Sequence, residues 1–308
     1  MSAAVVQVER VSKRFGATVA VAECTLSLQP GRILGVLGPN GSGKTTLLRI
    51  MAGILPPDSG AVYFHGEPIG EQHRHRIGYL PEERGLYRRQ SVWAQALYLA
   101  RLRGMSGAEA QRAVMEWMER LGLSSLRERR AGTLSKGMQQ RVQLLLALLH
   151  RPAVALLDEP FSGLDPLHTA QLAEVLHWLR AQGCAVVLST HQMEQAEELC
   201  DELVLLHRGR VVLSGALPQL LGQSATVALE FEGELSALLE RFPQVRLLRC
   251  EDGRAELRLE HGVEPMQILQ AAAELVHVRA FRWQRQSVRE LFLQAVAQGR
   301  SQHRECSS

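Results

Sequence analysis

The chain is poor in the features that mark a disulfide-stapled, membrane-embedded or nucleic-acid-binding protein. Its five cysteines, Cys24, Cys184, Cys200, Cys250 and Cys306, are odd in number, scattered, and form no C-x-x-C pair. That spacing argues against a disulfide framework or a zinc site and favours reduced cytosolic thiols, most of them small buried side chains. No apolar run reaches the roughly 18 continuous residues of a membrane helix; even the stretch from Val142 to Leu149 is short and interrupted by Gln143. Met1 to Glu9 carries a hydrophobic patch without the architecture of a signal peptide. Net charge is only +3, aromatics make up 5%, and no basic run is interleaved with them, so nucleic acid is not an expected partner. The one local basic run, His73-Arg-His-Arg76, reads as a solvated loop. If the protein serves a membrane process, another chain must do the spanning.

What is present is an ordinary globular composition, 46% hydrophobic over 308 residues, long enough for two domains. Alternating apolar positions over residues 3–11 and 20–29 predict strands of an early antiparallel element. Ile33 to Leu37 is a short buried run, and Ala61 to Phe64 a further strand after the turn Pro56-Pro-Asp-Ser-Gly60. From Ser91 to about Leu123 apolar residues recur at helical spacing, which predicts a helical insertion. The runs Val154–Leu157 and Ala185–Leu188 flank a helical stretch, Thr169–Gln182, as in parallel α/β structure. Leu203–Leu206 and Arg210–Leu213 form a hairpin. After Gly222-Gln-Ser224 the pattern restarts as strand, helix, strand, strand, helix, strand and a last helix, a small α+β unit of split βαβ type. Residues 300–308 are polar and read as a flexible tail.

Three segments carry chemistry. Gly38-Pro-Asn-Gly-Ser-Gly-Lys-Thr-Thr46 fits G-x-x-x-x-G-K-[ST] and sits between a buried strand and a helix, the setting a phosphate-binding loop requires. Gly38, Pro39, Asn40, Gly41, Ser42, Gly43, Lys44, Thr45 and Thr46 are therefore the expected nucleotide-binding residues. The glycines let successive N–H groups face phosphate oxygens, and the following helix adds its positive end. Lys44 reaches the terminal phosphates, and the Thr45 hydroxyl is a hard ligand for Mg2+. Asp158 and Glu159 end the buried run Leu156-Leu-Asp-Glu-Pro160, where carboxylates are otherwise costly. Asp158 suits the Mg2+ shell, and Glu159 the general base that activates water. His191, in Ser189-Thr-His191, is a candidate γ-phosphate sensor. ATP and Mg2+ are the expected cofactors, with Lys44, Glu159 and His191 as catalytic residues and Thr45 and Asp158 as metal ligands.

With Leu134-Ser-Lys-Gly-Met-Gln-Gln-Arg141 added, the set resembles the ATP-binding subunits of ABC transporters over residues 3 to about 222. The resemblance implies a P-loop NTPase cassette, α/β, with a RecA-like core, an antiparallel β subdomain and a helical subdomain at about 88–150. A C-terminal α+β domain at 223–299 completes it. It also implies that Phe15 stacks on adenine, that Ser135 and Gly137 cap the γ-phosphate bound by another subunit, and that Asp165 lies in a loop communicating across a dimer. Two departures stand out: Lys136 and Met138 replace the usual Gly and Gln, and Glu82 occupies a slot usually held by Gln, which the resemblance implies to be a Mg2+ ligand that a carboxylate oxygen can still supply. The segment Pro81-Glu-Glu-Arg-Gly-Leu-Tyr87 and the extension 224–299 are similar to those of bacterial exporters of the sodium-extrusion (NatA-like) type, with sodium or drugs as implied cargo. That type implies a homodimer on the cytoplasmic face of the membrane, attached to an integral permease of the ABC-2 class. A soluble ABC-type ATPase acting on nucleic acid or ribosomes is the competing reading; a single cassette without zinc hooks speaks against it. An importer subunit is a third.

Overall fold

The computed structural model describes residues 4–83, 85–222, 225–259, 263–285 and 287–305, without the side chains of 285 and 298–305. Cys306 and residues 307–308, part of the expected tail, lie outside the described residues. The chain divides into two compact units, Met1–Ser214 and Gly215–Ser308.

The first unit runs through β1 (Val6–Phe15), β2 (Thr18–Leu28), β3 (Ile33–Leu37), α1 (Lys44–Met51), β4 (Ser59–Phe64), β5 (Glu67–Pro68), β6 (Ile77–Leu80), α2 (Val92–Leu102), α3 (Gly107–Arg120) and α4 (Lys136–Leu148). It continues with β7 (Val154–Asp158), α5 (Pro166–Ala181), β8 (Ala185–Thr190), α6 (Met193–Leu199), β9 (Glu202–His207) and β10 (Arg210–Ala216). Two sheets result. One is four-stranded in the order β2-β1-β4-β5, with its pairings antiparallel; the other is six-stranded in the order β10-β9-β3-β8-β7-β6. The neighbours β9-β3-β8-β7-β6 are parallel throughout. Every residue of β3, β7 and β8 is buried, which is why these strands read as unbroken apolar runs rather than alternations.

Helix α1 lies in a core shared by both sheets. Leu47, Leu48, Ile50 and Met51 cluster with Val8, Val11 and Phe64 of the antiparallel sheet and with Val36, Leu156 and Val187 of the parallel one. A helix buried on most sides is held rigidly, and its first residue is Lys44. The helical insertion expected from Ser91 to about Leu123 is built as two helices. Arg103-Gly104-Met105 separates α2 from α3, with Gly104 at φ 87. Ser106 then starts a capping box, its Oγ accepting from Glu109 N while Glu109 Oε2 accepts from Ser106 N. The basic run also departs from its reading: His73 is buried, its ring 5.1 Å from that of Phe64 and its Nε2 3.3 Å from Glu67 Oε2.

The second unit contains α7 (Leu217–Leu221), β11 (Ala225–Glu232), α8 (Ser236–Arg241), β12 (Val245–Glu251), β13 (Arg254–Leu259), α9 (Pro265–Leu275), β14 (His277–Arg285) and α10 (Val288–Glu305). The sheet order is β12-β13-β11-β14, and every adjacent pair is antiparallel. This is the split βαβ arrangement read from the sequence. Val227, Leu229, Phe231, Leu257 and Leu259 project from one face of the sheet into a core with Ile268 and Ala272 of α9. Helix α10 continues into the stretch read as a tail, as far as Glu305. Cys24, Cys184 and Cys200 are buried free thiols and Cys250 is an exposed one. Burial pushes Cys24 up to about 11 and Cys184 up to about 12.

Candidate nucleotide site

The loop between β3 and α1 is shaped by its glycines. Gly38 and Gly43 have φ 154 and 107, in the region that side chains rarely adopt. There is also no room: a Cβ on Gly38 would lie 2.2 Å from Leu206 O, and one on Gly43 2.0 Å from Ala20 O. The loop is thus wedged between β9 and β2. Lys44, buried, turns its Nζ back to donate to Gly38 O at 2.9 Å and Pro39 O at 3.3 Å. Ser42 is buried with its Oγ lacking a hydrogen-bond partner. Pro39, Asn40 and Gly41 are exposed, while Thr45 and Thr46 are half-buried at the start of the helix.

At the C-terminal ends of β7 and β8 a second set of groups meets this loop. Asp158 is fully buried; its Oδ1 accepts from Ser189 Oγ, and its Oδ2 has no partner. An unpaired buried carboxylate oxygen is costly unless a cation or an ordered water completes it. The donor set therefore fits Mg2+, a hard cation that takes oxygen ligands and retains several waters. Glu159 has φ 48, a strained value for a residue with a long side chain. Its N–H donates to Ser189 O at 3.1 Å, which holds the bend in place. The buried carboxylate lies with Oε1 3.0 Å from His191 Nδ1 and 3.7 Å from Lys44 Nζ. Lys44, Glu159 and His191 thus form one contiguous group, with Asp158 joined to it through Ser189.

The remaining expected residues lie apart from that group in their contacts. Ser135 is exposed and caps α4, its Oγ accepting from Met138 N at 3.3 Å. Gly137 packs so closely that an added Cβ would sit 2.8 Å from Gly163 O, which ties the start of α4 to the loop before α5. Asp165 caps α5, accepting from His168 N at 2.9 Å and meeting His168 Nδ1 at 2.7 Å. Those two bonds hold its carboxyl below the usual range. Phe15 ends β1 with its ring 53% exposed, and Glu82 is exposed after β6.

Two residues of this region were not singled out by sequence reasoning. Ser189 bridges Asp158 Oδ1 and the Glu159 backbone; its only local sign is a hydroxyl at the end of an apolar strand. Gln140, buried in α4, donates to Pro160 O at 3.2 Å and Glu159 O at 3.4 Å, linking the Ser135–Gly137 turn to the acidic pair. A buried glutamine inside an amphipathic helix is the signal that could have found it.

A glycine-cradled loop before a buried helix, with a carboxylate pair at the tip of a neighbouring parallel strand, defines a P-loop nucleotide-binding fold. Comparison with known proteins narrows the class. A family profile described as ABC transporter matches residues 21–162, and one described as the C-terminal domain of DrrA1-3-like ATP-binding proteins matches residues 221–296. The chain is 34% identical over 291 residues to YhaQ of Bacillus subtilis, an uncharacterized ABC transporter ATP-binding protein, covering 94% of this chain and 97% of that one. It is 37% identical over 219 residues to Nod factor export ATP-binding protein I of Burkholderia thailandensis, covering 70% and 72%. Among solved structures, an ATP-binding subunit of an ABC transporter superimposes with TM-score 0.66 at 31% identity, over 70% of this chain and 91% of that one. The chain belongs to the ATP-binding subunits of ABC transporters, with the cassette fold of that family. Such subunits work with membrane permeases, and among the described residues no helix is long and apolar enough to cross a membrane.

Proposed function

We propose that this subunit hydrolyses ATP and that two copies close around two ATP molecules to drive a separate ABC-2 type permease in the export direction. The observation that supports hydrolysis is the Lys44–Glu159–His191 group beside the unpaired Asp158 oxygen. In this reading Lys44 exchanges its two loop carbonyls for the terminal phosphates. Glu159, strained and buried, takes the proton of the attacking water. His191, half-exposed and bonded to Glu159, holds that carboxylate and senses the γ-phosphate. Thr45, Glu82 and, through water, Asp158 would hold Mg2+, which when bound would supply positive charge against the phosphate oxygens. Phe15, exposed beside the Lys13 ammonium, stacks on adenine.

Dimerisation is supported by the other half of the site. Ser135 and Gly137 present the N-terminal end of α4 to solvent, where its N–H groups and dipole suit a phosphate held by a second copy. Asp165 lies in the loop that would link the two sites. The cassette in this proposal spans 1–222, its helical subdomain about 88–150, and the accessory domain 223–299. The export direction is supported by the Nod factor export relative, by the DrrA-like profile and by the sodium-extrusion-like segment Pro81–Tyr87. Exposed Tyr87, Tyr98 and Leu102 in residues 80–105 offer apolar contacts to the permease. The subunit then sits on the cytoplasmic face of the membrane through that partner. The test is phosphate release by the subunit reconstituted with the permease encoded beside it. Release that depends on Glu159, together with transport out of the cytoplasmic compartment, supports the proposal; turnover unaffected by Glu159→Gln contradicts it.

A further inference from the structure

A second polar hollow lies in the first unit at the N-terminal ends of the parallel strands. His75 and Arg76 immediately precede β6, His150 to Ala153 precede β7, and Gln182 to Cys184 precede β8. These strands are parallel, and Glu159 and His191 follow their other ends. The length of β7, five residues, separates the two regions by roughly 16 Å. Two cavities of about 870 and 630 Å³ lie side by side, with His75, Glu116, His150 and Arg151 lining both. Each falls within the ~300–1,000 Å³ range of small-molecule sites.

The charge in this groove is one-sided. Arg76, Arg103, Arg112, Arg120 and Arg151 line it against Glu109 and Glu116. Arg103 is spent on the carbonyls of Arg74 and Ile77. Glu116 is shared between Arg151 at 2.6 Å and Arg120 at 3.7 Å, and the Arg120 guanidinium also stacks 3.9 Å from the Trp178 ring. Among the described residues neither Arg76 nor Arg112 is in an ion pair, and both are exposed. Arg151 adopts φ 50 at the turn from α4 into β7, where glycine or asparagine would be less strained. His150 adds no charge, because burial pushes it down to about 4.

We propose that this groove is a binding site for a small multivalent anion bearing phosphate or carboxylate groups, separate from the nucleotide site. Arg112, Arg76 and Arg151 would engage its charges, and the Arg120–Trp178 stack forms a wall. The experiment is calorimetric titration of the full chain, its nucleotide site saturated with Mg2+ and a nonhydrolysable ATP analogue, using pyrophosphate and citrate as probes. One saturable site is expected, weakened at least about tenfold in Arg112→Ala/Arg151→Ala. Glu116→Gln, which removes the competing carboxylate, is expected to tighten binding several-fold. Should the double variant fail to fold by circular dichroism, the Glu116→Gln arm decides alone. No heat beyond that of the same probe titrated into the Mg2+–nucleotide buffer alone, or binding indifferent to these substitutions, overturns the proposal.

Discussion

The two halves of the phosphate chemistry in this chain are built in opposite ways. In the phosphate loop and at the end of β7, Ser42, Lys44, Asp158 and Glu159 are buried beside a loop wedged by backbone, and Glu159 already lies 3.0 Å from His191. Around Ser135–Gly137 the equivalent groups face solvent, and the Ser135 hydroxyl serves its own helix. The first set is pre-arranged within one chain. The second leaves a helix N-terminus open to solvent. In the proposed dimer, the difference marks where a second copy would enter. Gln140 joins the halves, since one amide reaches from α4 to the carbonyls beside Glu159.

That contrast is broken most severely at Glu159. Glu159→Gln keeps the shape and removes the base, so phosphate release should fall by about 10²–10⁴ while equilibrium binding of ATP is retained. Ordinary turnover would remove Glu159 from the role of base. Gly43→Ala comes next: a methyl 2.0 Å from Ala20 O forces the loop to move, and ATP affinity measured by fluorescence titration should drop more than about tenfold. Unchanged affinity would mean that the loop is not the phosphate grip.

On the open half the effects are smaller and divide differently. Ser135→Ala should cost about 1 kcal/mol of stability in denaturant unfolding through the lost cap. It should leave ATP affinity of the isolated chain intact and lower turnover by more than stability explains; equal loss of both would reduce Ser135 to a cap. Phe15→Ala should weaken ATP binding only a few-fold, as expected of about 0.5–1.5 kcal/mol from one exposed ring. Phe15→Trp should restore it. The smallest effect concerns acid. Because the bonds to His168 depress Asp165, its stabilisation is present above the unfolded carboxylate range and lost as pH falls through the lower folded value. Asp165→Asn should flatten the acid limb of the thermal unfolding curve, and an unchanged limb would contradict the cap.

How much of this was legible in the sequence follows from how local each interaction is. The phosphate loop is written in consecutive residues, and the parallel strands show as unbroken apolar runs because both faces are covered. In the second unit Val227, Leu229 and Phe231 alternate with more exposed residues, encoding one packed and one wetter face, and the succession of such strands with helical stretches made the split βαβ order legible. Contacts across long stretches of chain could not. Ser189 reaches an aspartate 31 residues away, and nothing beside it in sequence signals the bond. The division at Arg103–Met105 was hidden because apolar spacing on α2 and α3 continues across it; only the capping box at Ser106 marks the restart. His73 misled in the other direction. Its arginine neighbours suggested solvent, whereas Phe64 and Glu67 draw the ring inward.

The central claim is that the triphosphate is shared between two copies, the wedged half of one facing the open half of the other. Sedimentation velocity of the Glu159→Gln chain, with and without saturating ATP, tests it most directly. The account predicts monomers without nucleotide, dimers with it, and a return to monomers when Ser135→Arg is added. A chain that stays monomeric in ATP, or a nucleotide-dependent dimer indifferent to Ser135→Arg, contradicts it.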